Sequence, residues 1–243
     1  MTPGAQPRPF LTAKWRDLLL LNYRMPADLL TPQVPAGTEL DSWDGSAFVS
    51  LVGFLFRDTR IRGVAVPWHR SFEEVNLRFY VRRRGDASRR GVVFLKELVP
   101  RRLVASVARW AYNEPYHRTA MGHRIELDKR GLGSVAYHWG QRAERCDLGA
   151  QVTTEAEVPD DGSAPQFFAE HHWGYTRQRD GGTIEYEVAR PRWRVSALER
   201  WEFLGDPKPW YGGPIGAHLL GPAYSGYYSP GSEVVVMGGI MIC

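Results

Sequence analysis

Alternation of apolar and polar positions is clearest over residues 74–83. Val75, Leu77, Phe79 and Val81 share one face there, and Glu74, Asn76, Arg78, Tyr80 and Arg82 share the other. That period of two predicts a strand. The turn-like Gly85-Asp86-Ala87-Ser88 follows, and residues 91–98 (GVVFLKEL) read as the hairpin partner. Residues 47–57 (AFVSLVGFLFR) are apolar at nearly every position, which predicts a strand buried on both faces or one crossing a bend at Gly53. After Val99 the period lengthens. Leu103, Val107, Trp110 and Ala111 form one apolar stripe of an amphipathic helix, which runs into Glu114-Pro115-Tyr116-His117. Proline cannot extend the helix and biases Glu114 away from helical dihedrals, so an acid, a phenol and an imidazole are held at a fixed corner.

Further strands are expected at 118–128, 134–142, 150–158 and 232–237, with a short helix or turn at 26–30. Ser163-Ala164-Pro165-Gln166 resembles a capping box that opens a short helix. Residues 173–177 and 183–189 flank Asp180-Gly181-Gly182, a hairpin signal, and the second run sets Ile184, Tyr186 and Val188 against Glu185 and Glu187. Many strands, few helices and little βα alternation predict a β-rich (α+β) chain whose antiparallel sheet closes or folds on itself. No repeat or long linker divides the 243 residues, so one domain over 1–243 is expected, with the Pro-rich first ten residues irregular.

Composition adds a core and a few exclusions. A single domain of this size buries roughly 70–75% of its unfolded surface without staples. The 9 Trp, 11 Tyr and 10 Phe suit a β fold with large amphipathic side chains, although aromatics fill cores more often than they line sites. The net charge is +4. Its main cluster, Arg82-Arg83-Arg84 with Arg89-Arg90, reads as a solvated hairpin end, and no nucleic-acid-binding motif accompanies it. Cys146 and Cys243 form no CxxC motif, and with no secretory signal pattern at the start a reducing, cytoplasmic setting is expected. The apolar run Leu18–Leu21 is too short to span a bilayer, so no membrane partner is expected. Oligomeric state is left open.

Familiar catalytic motifs are absent from the sequence. The histidines (His69, His117, His123, His138, His171, His172 and His218) include no HExxH, and the neighbours His171 and His172 point to different sides of any strand, so no metal is expected. There is no G-x-S-x-G elbow and no phosphate-cradling glycine motif, and no cofactor is expected. Cys146, between Arg145 and Asp147, has no sequential partner base and reads as inert. Two constellations remain. One is the polar face Glu74, Asn76, Arg78 and Tyr80, which meets water on an open sheet but lines a lumen if the sheet closes. The other is Glu114, Tyr116 and His117, either a solvated helix end or a carboxylate base, a phenol donor and an imidazole relay for proton transfer.

The order of segments resembles a bacterial family of unknown function typified by YqjF-like proteins. The marks are Trp15 through Leu18-Leu19-Leu20-Leu21-Asn22-Tyr23; the stretch from Pro32 to Asp41; Phe72-Glu73-Glu74-Val75-Asn76-Leu77-Arg78; Ala108-Arg109-Trp110 through Glu114-Pro115-Tyr116-His117; and Glu170-His171-His172-Trp173-Gly174-Tyr175-Thr176 leading to Pro191-Arg192-Trp193. More distantly, the layout is similar to the acetoacetate decarboxylase-like superfamily. That resemblance implies a closed antiparallel β-barrel around a small-molecule pocket, with a few short helices. There the corner reads Pro-Lys-Lys, and its first lysine forms a Schiff base. Here Tyr116 and His117 take those places, Glu74 is the closest counterpart of the acid on the preceding strand, and a phenol cannot form an iminium. The resemblance therefore implies the barrel and the pocket without the parent reaction. The expected function is binding of a small organic ligand, with Asn76, Arg78, Tyr80, His172 and Tyr175 as ligand contacts. The alternatives are a lyase, isomerase or hydrolase using Glu74, Glu114, Tyr116 and His117, or a domain whose pocket is vestigial.

Overall fold

The structure, a computed structural model, describes residues 8–65, 70–100 and 115–243. The helix expected after Val99, with Trp110 and Glu114, falls mostly within 101–114 and lies outside the described residues. The first half of the chain contributes β1 (Pro9–Met25), helix α1 (Ala27–Leu30), β2 (Thr38–Leu40), β3 (Ala47–Ile61), β4 (Val64–Ala65), β5 (Phe72–Arg83), β6 (Asp86–Val99) and β7 (Tyr116–Arg118). Next come β8 (Met121–Leu127), β9 (Gly133–Trp139), β10 (Cys146–Val152) and helix α2 (Ala164–Ala169). The remainder is β11 (Trp173–Arg177), β12 (Thr183–Ala189), β13 (Ser196–Ala197), β14 (Arg200–Leu204), helices α3 (Lys208–Tyr211) and α4 (Gly213–Leu219), β15 (Ser225–Met237) and β16 (Ile240–Met241). The stretch expected to be irregular ends sooner than residue 10, because β1 opens at Pro9.

Among the described residues the strands form a large sheet and a four-stranded sheet in the order β14-β10-β9-β8. The large sheet runs β15-β1-β3-β5-β6-β11-β12, mostly antiparallel, with β11 and β7 parallel to β6. Val188 and Ala189 of β12 pair with Val236 and Val235 of β15, so the hydrogen-bonded path returns to its starting strand.

Both faces of β5 are buried, for different reasons. Val75, Leu77 and Phe79 pack in one core with Val135, Tyr137, Trp139 and Leu148, so the small sheet covers the outer face of the large one. Full burial of each such side chain contributes roughly 1.5–3 kcal/mol. Glu74, Asn76, Arg78 and Tyr80 lie on the opposite, inner face and are buried too. The choice posed by the alternation, apolar face in and polar face out or the reverse, therefore has a third answer.

Gly53 shows how closely the two sheets approach. β3 runs through it to Ile61 with Leu19 and Val75 opposite, and a Cβ there would stand 2.7 Å from the Tyr137 ring. The glycine makes room for that ring; the strand continues through it. Ser163 caps α2 as its sequence suggests, accepting from the Gln166 N–H at 3.4 Å, while Gln166 Oε1 accepts from the Gly162 N–H at 2.6 Å. Among the described residues no helix is long and apolar enough to cross a membrane.

Candidate functional site

The inner face of the large sheet lines a cavity of about 140 Å³. Most of its wall is apolar, with Trp15, Phe54, Phe56, Phe94 and Trp193 prominent. Polar groups enter from β5, where Glu74, Asn76 and Arg78 are 2%, 3% and 8% exposed. The Asn76 amide donates to Glu74 Oε1 at 2.9 Å, and the Tyr116 hydroxyl donates to Glu74 Oε2 at 3.1 Å. Two donors converging on one buried carboxylate offset the desolvation of its oxygens.

A second carboxylate, Glu97, joins them because β6 carries a bulge. Leu77 faces Lys96 while Arg78 faces Phe94, which leaves Leu95 as the extra residue. The bulge reverses the side-chain phase. Phe94 and Glu97 both line the cavity, and Lys96, which uninterrupted alternation from Phe94 would turn inward, does not. Glu97 faces Asn76 across one strand pair and Tyr116 across the other.

At another part of the wall stands His171, 6% exposed. Its Nε2 lies 3.1 Å from Asp41 Oδ2, which also accepts from Arg90 Nε at 2.6 Å. Burial holds the His171 pKa down to about 4 against the pull of Asp41, so the ring is neutral at pH 7. Burial works to raise Asp41, but the bonds from His171 and Arg90 prevail and keep its carboxyl below the usual range. A neutral ring donating from Nε2 to a carboxylate leaves Nδ1 as an acceptor, and that atom has no hydrogen-bond partner.

Arg190 lines the cavity beyond the end of β12. Its guanidinium stacks on Trp193, 3.7 Å from the ring centroid, and donates to the carbonyls of Ala169 and Pro191. Burial first, and then the charge of Arg78, lower its pKa to about 9.

Of the residues singled out in the sequence, the structure brings Glu74, Asn76, Arg78 and Tyr116 to the cavity. Tyr80, His117, His172 and Tyr175 sit elsewhere. Tyr80 is on the inner face but beyond the cavity, bonded to Ser50 and packed against Phe167, Phe168 and His171. His117 alternates outward from Tyr116, is exposed, and faces Trp210. His172 points away from the cavity that His171 lines, because adjacent residues of an extended chain face opposite sides. Tyr175 belongs to the outer core, its hydroxyl donating to the Arg89 carbonyl. Glu114 lies outside the described residues. Sequence reasoning passed over Glu97, His171 and Arg190. The third was within reach, since Tyr186, Val188 and Arg190 continue one period-two row.

The lysines of the chain are Lys14, Lys96, Lys129 and Lys208, and none lines the cavity. Among the described residues no His, Cys, Asp and Glu cluster could hold a metal ion. Cys146 is buried, with its thiol pushed up to about 12 by burial, and Arg145 is engaged by Asp147 at 2.6 Å, so nothing activates the sulfur.

Residues 12–207 match the model of the DUF2071 family, described as an uncharacterized conserved protein. The chain belongs to this family. YqjF of Bacillus subtilis strain 168 is 33% identical over 103 residues, covering 42% of this chain and 41% of YqjF. The chain thus matches less than half the length of that relative. Among solved structures, acetoacetate decarboxylase from Legionella pneumophila superposes with a TM-score of 0.70 over 100% of this chain and 92% of its own, at 11% identity. An acetoacetate decarboxylase-like enzyme from Sphingomonas wittichii RW1 gives 0.67 over 100% and 96%, at 15% identity. The enduracididine biosynthesis enzyme MppR, complexed with pyruvate, gives 0.64 over 98% and 91%, at 11% identity. At such identities the likeness is one of fold. The β-rich fold with few short helices is the one these proteins share.

Proposed function

We propose that this chain is a small-molecule-binding protein: a single domain whose large sheet closes as a barrel and holds an organic ligand in the cavity beside Glu74, Asn76, Arg78 and Tyr116. One observation carries the reading. Trp15 Nε1, Thr59 Oγ1, Asn76 Oδ1, Arg78 Nε and His171 Nδ1 are buried polar atoms without a hydrogen-bond partner, and all belong to residues lining this one cavity. Buried polar groups in native proteins are nearly always satisfied, so a set of orphans around a cavity calls for a guest with polar groups of its own. The return of β12 onto β15 supports the closed barrel, and the fold shared with an enzyme whose complex with pyruvate has been solved supports a small organic guest.

Schiff-base decarboxylation is not part of this proposal, because the reaction needs a lysine amine at the ligand and no lysine lines the cavity. Borohydride treatment with pyruvate or acetoacetate is expected to leave the mass of the protein unchanged. A stoichiometric adduct would overturn this exclusion and direct attention to Lys96. A second reading, acid–base catalysis without a Schiff base, is favoured by the neutral His171 held by Asp41. Native mass spectrometry of protein purified from cells tests the main reading. A retained small molecule that is lost on unfolding is the expected result. Protein that emerges empty and binds nothing from a broad panel of small organic compounds would overturn it.

A further inference from the structure

We propose that Arg78 and Arg190 form an anion-binding subsite, and that the ligand is an organic carboxylate with an apolar body. This rests on the cavity-binding reading and adds the chemical class of the ligand. Both guanidiniums line the cavity, and among the described residues neither has a carboxylate within ion-pair distance. Arg78 Nη2 donates to the Phe168 carbonyl at 3.3 Å, and its Nε–H has no partner. Arg190 donates to the next carbonyl along, that of Ala169, and to Pro191. Two cations are thus anchored on consecutive carbonyls at the end of α2, each with more N–H donors than these bonds use.

The acids of the surroundings are engaged elsewhere: Glu74 and Glu97 share the cavity wall without an ion pair to either arginine, and Glu74 accepts from Asn76 and Tyr116. Glu170 accepts from Arg192 Nε at 2.6 Å and from Gln166 at 3.2 Å, and Asp41 is shared by Arg90 and His171. Holding two like charges side by side with no carboxylate in direct contact is unfavourable, and a ligand carboxylate between them would supply that contact and its fork-shaped acceptors. The body of the ligand follows from the wall. Trp15, Phe54, Phe56 and Phe94 offer surface for a ring or branched chain and no substitute for the hydration shell of an inorganic anion.

The test uses the full chain and measures binding by calorimetry and thermal shift. The probes are benzoate and 3-phenylpropionate, their neutral amides, and inorganic phosphate. At least one acid is expected to bind at least about tenfold more tightly than its amide. Arg190→Gln should remove that preference, weakening the acid much more than its amide, and Arg190→Lys should keep part of it. Arg78→Gln should act alike where it folds; Arg190, which follows the end of β12 and is more exposed than Arg78, keeps the test valid if it does not. Amides that bind as tightly as their acids would overturn the anion subsite while leaving the cavity reading intact. Failure of every acid and amide to bind would overturn both. Phosphate binding as tightly as the acids, and lost in Arg190→Gln, would overturn the requirement for an apolar body.

Discussion

Strand β12 and the residue just after it carry two opposite treatments of buried charge within six residues. On its outer face Glu185 is fully buried and takes ion pairs from Arg83, at 3.1 Å, and from Arg89. On its inner side the row Tyr186, Val188 and Arg190 reaches the cavity, where Arg190 and Arg78 meet backbone carbonyls and no carboxylate. The first cluster is complete in itself. An acid between two arginines satisfies its own lone pairs and fixes the hairpin end against β5 and β6, and it has no capacity for a guest. The second is left open on the side of the cavity. Charge that is closed by the protein's own residues speaks for architecture, and charge left open beside a cavity speaks for a ligand. Asp41 and His171 stand between these cases: Nε2 is closed by the carboxylate and Nδ1 is open.

The largest expected effect lies on the closed side. Glu185→Ala would leave Arg83 without its acid and Arg89 with Asp86 alone, at 3.2 Å, and should destabilise the fold by about 3–5 kcal/mol in chemical denaturation. Both arginines are about one-third exposed, at 32% and 33% of their side chains, so rehydration favours the lower end of that range. A loss below about 1 kcal/mol would mean the cluster behaves as an ordinary surface pair, and the comparison would lose its closed member.

The intermediate case gives a pH signature. His171 has a folded pKa of about 4 and an unfolded value near 6.5, so between those values the unfolded chain binds the extra proton. Stability should therefore fall as pH drops from about 6.5 toward about 4, by about 3 kcal/mol over the whole window. Asp41, held below its ordinary carboxyl value, adds its loss only further down the scale. His171→Gln should flatten the curve between pH 6.5 and 4 whatever it does to stability at pH 7. An unchanged slope in that variant would show that the ring titrates normally and is not sealed as its surroundings require.

The same contrast explains how much could be read without coordinates. Period-two alternation marked β5, Asp180-Gly181-Gly182 marked the β11–β12 hairpin, and Ser163 marked the start of α2, because each is a local rule expressed in neighbouring residues. β1 was harder. Lys14, Arg16 and Asp17 interrupt its apolar run, and Asp17 takes a positive φ of 55° where the register against β3 shifts. The site was legible where it follows an unbroken strand, as at Glu74, Asn76 and Arg78. It was lost where a single extra residue intervenes. The bulge at Leu95 exchanges Lys96 for Glu97 on the inner face and leaves no mark in composition. Which of His171 and His172 faces inward depends on how β11 docks on β6, a contact between distant segments. Burial of both faces of β5 likewise depends on a second sheet that begins only at Met121, well after β5 ends at Arg83.

The smallest expected effect is the one that separates the two treatments of charge. Arg190→Gln, measured in ligand-free protein, should change stability by less than about 1 kcal/mol, with a net gain allowed by the relief of repulsion from Arg78. The substitution gives up a stacked cation over Trp193, a contribution of roughly 0.5–2 kcal/mol. Against that loss it removes a charge drawn out of water and held near another of the same sign, and the glutamine amide can still donate toward the Ala169 carbonyl. These contributions oppose each other, whereas at Glu185 both ion pairs are lost together. If Arg190→Gln destabilises the empty protein as much as Glu185→Ala does, Arg190 belongs with the architecture. If its stability stays near that of the parent while acid binding disappears, the open charge serves the guest, and the two sides of β12 divide fold from function.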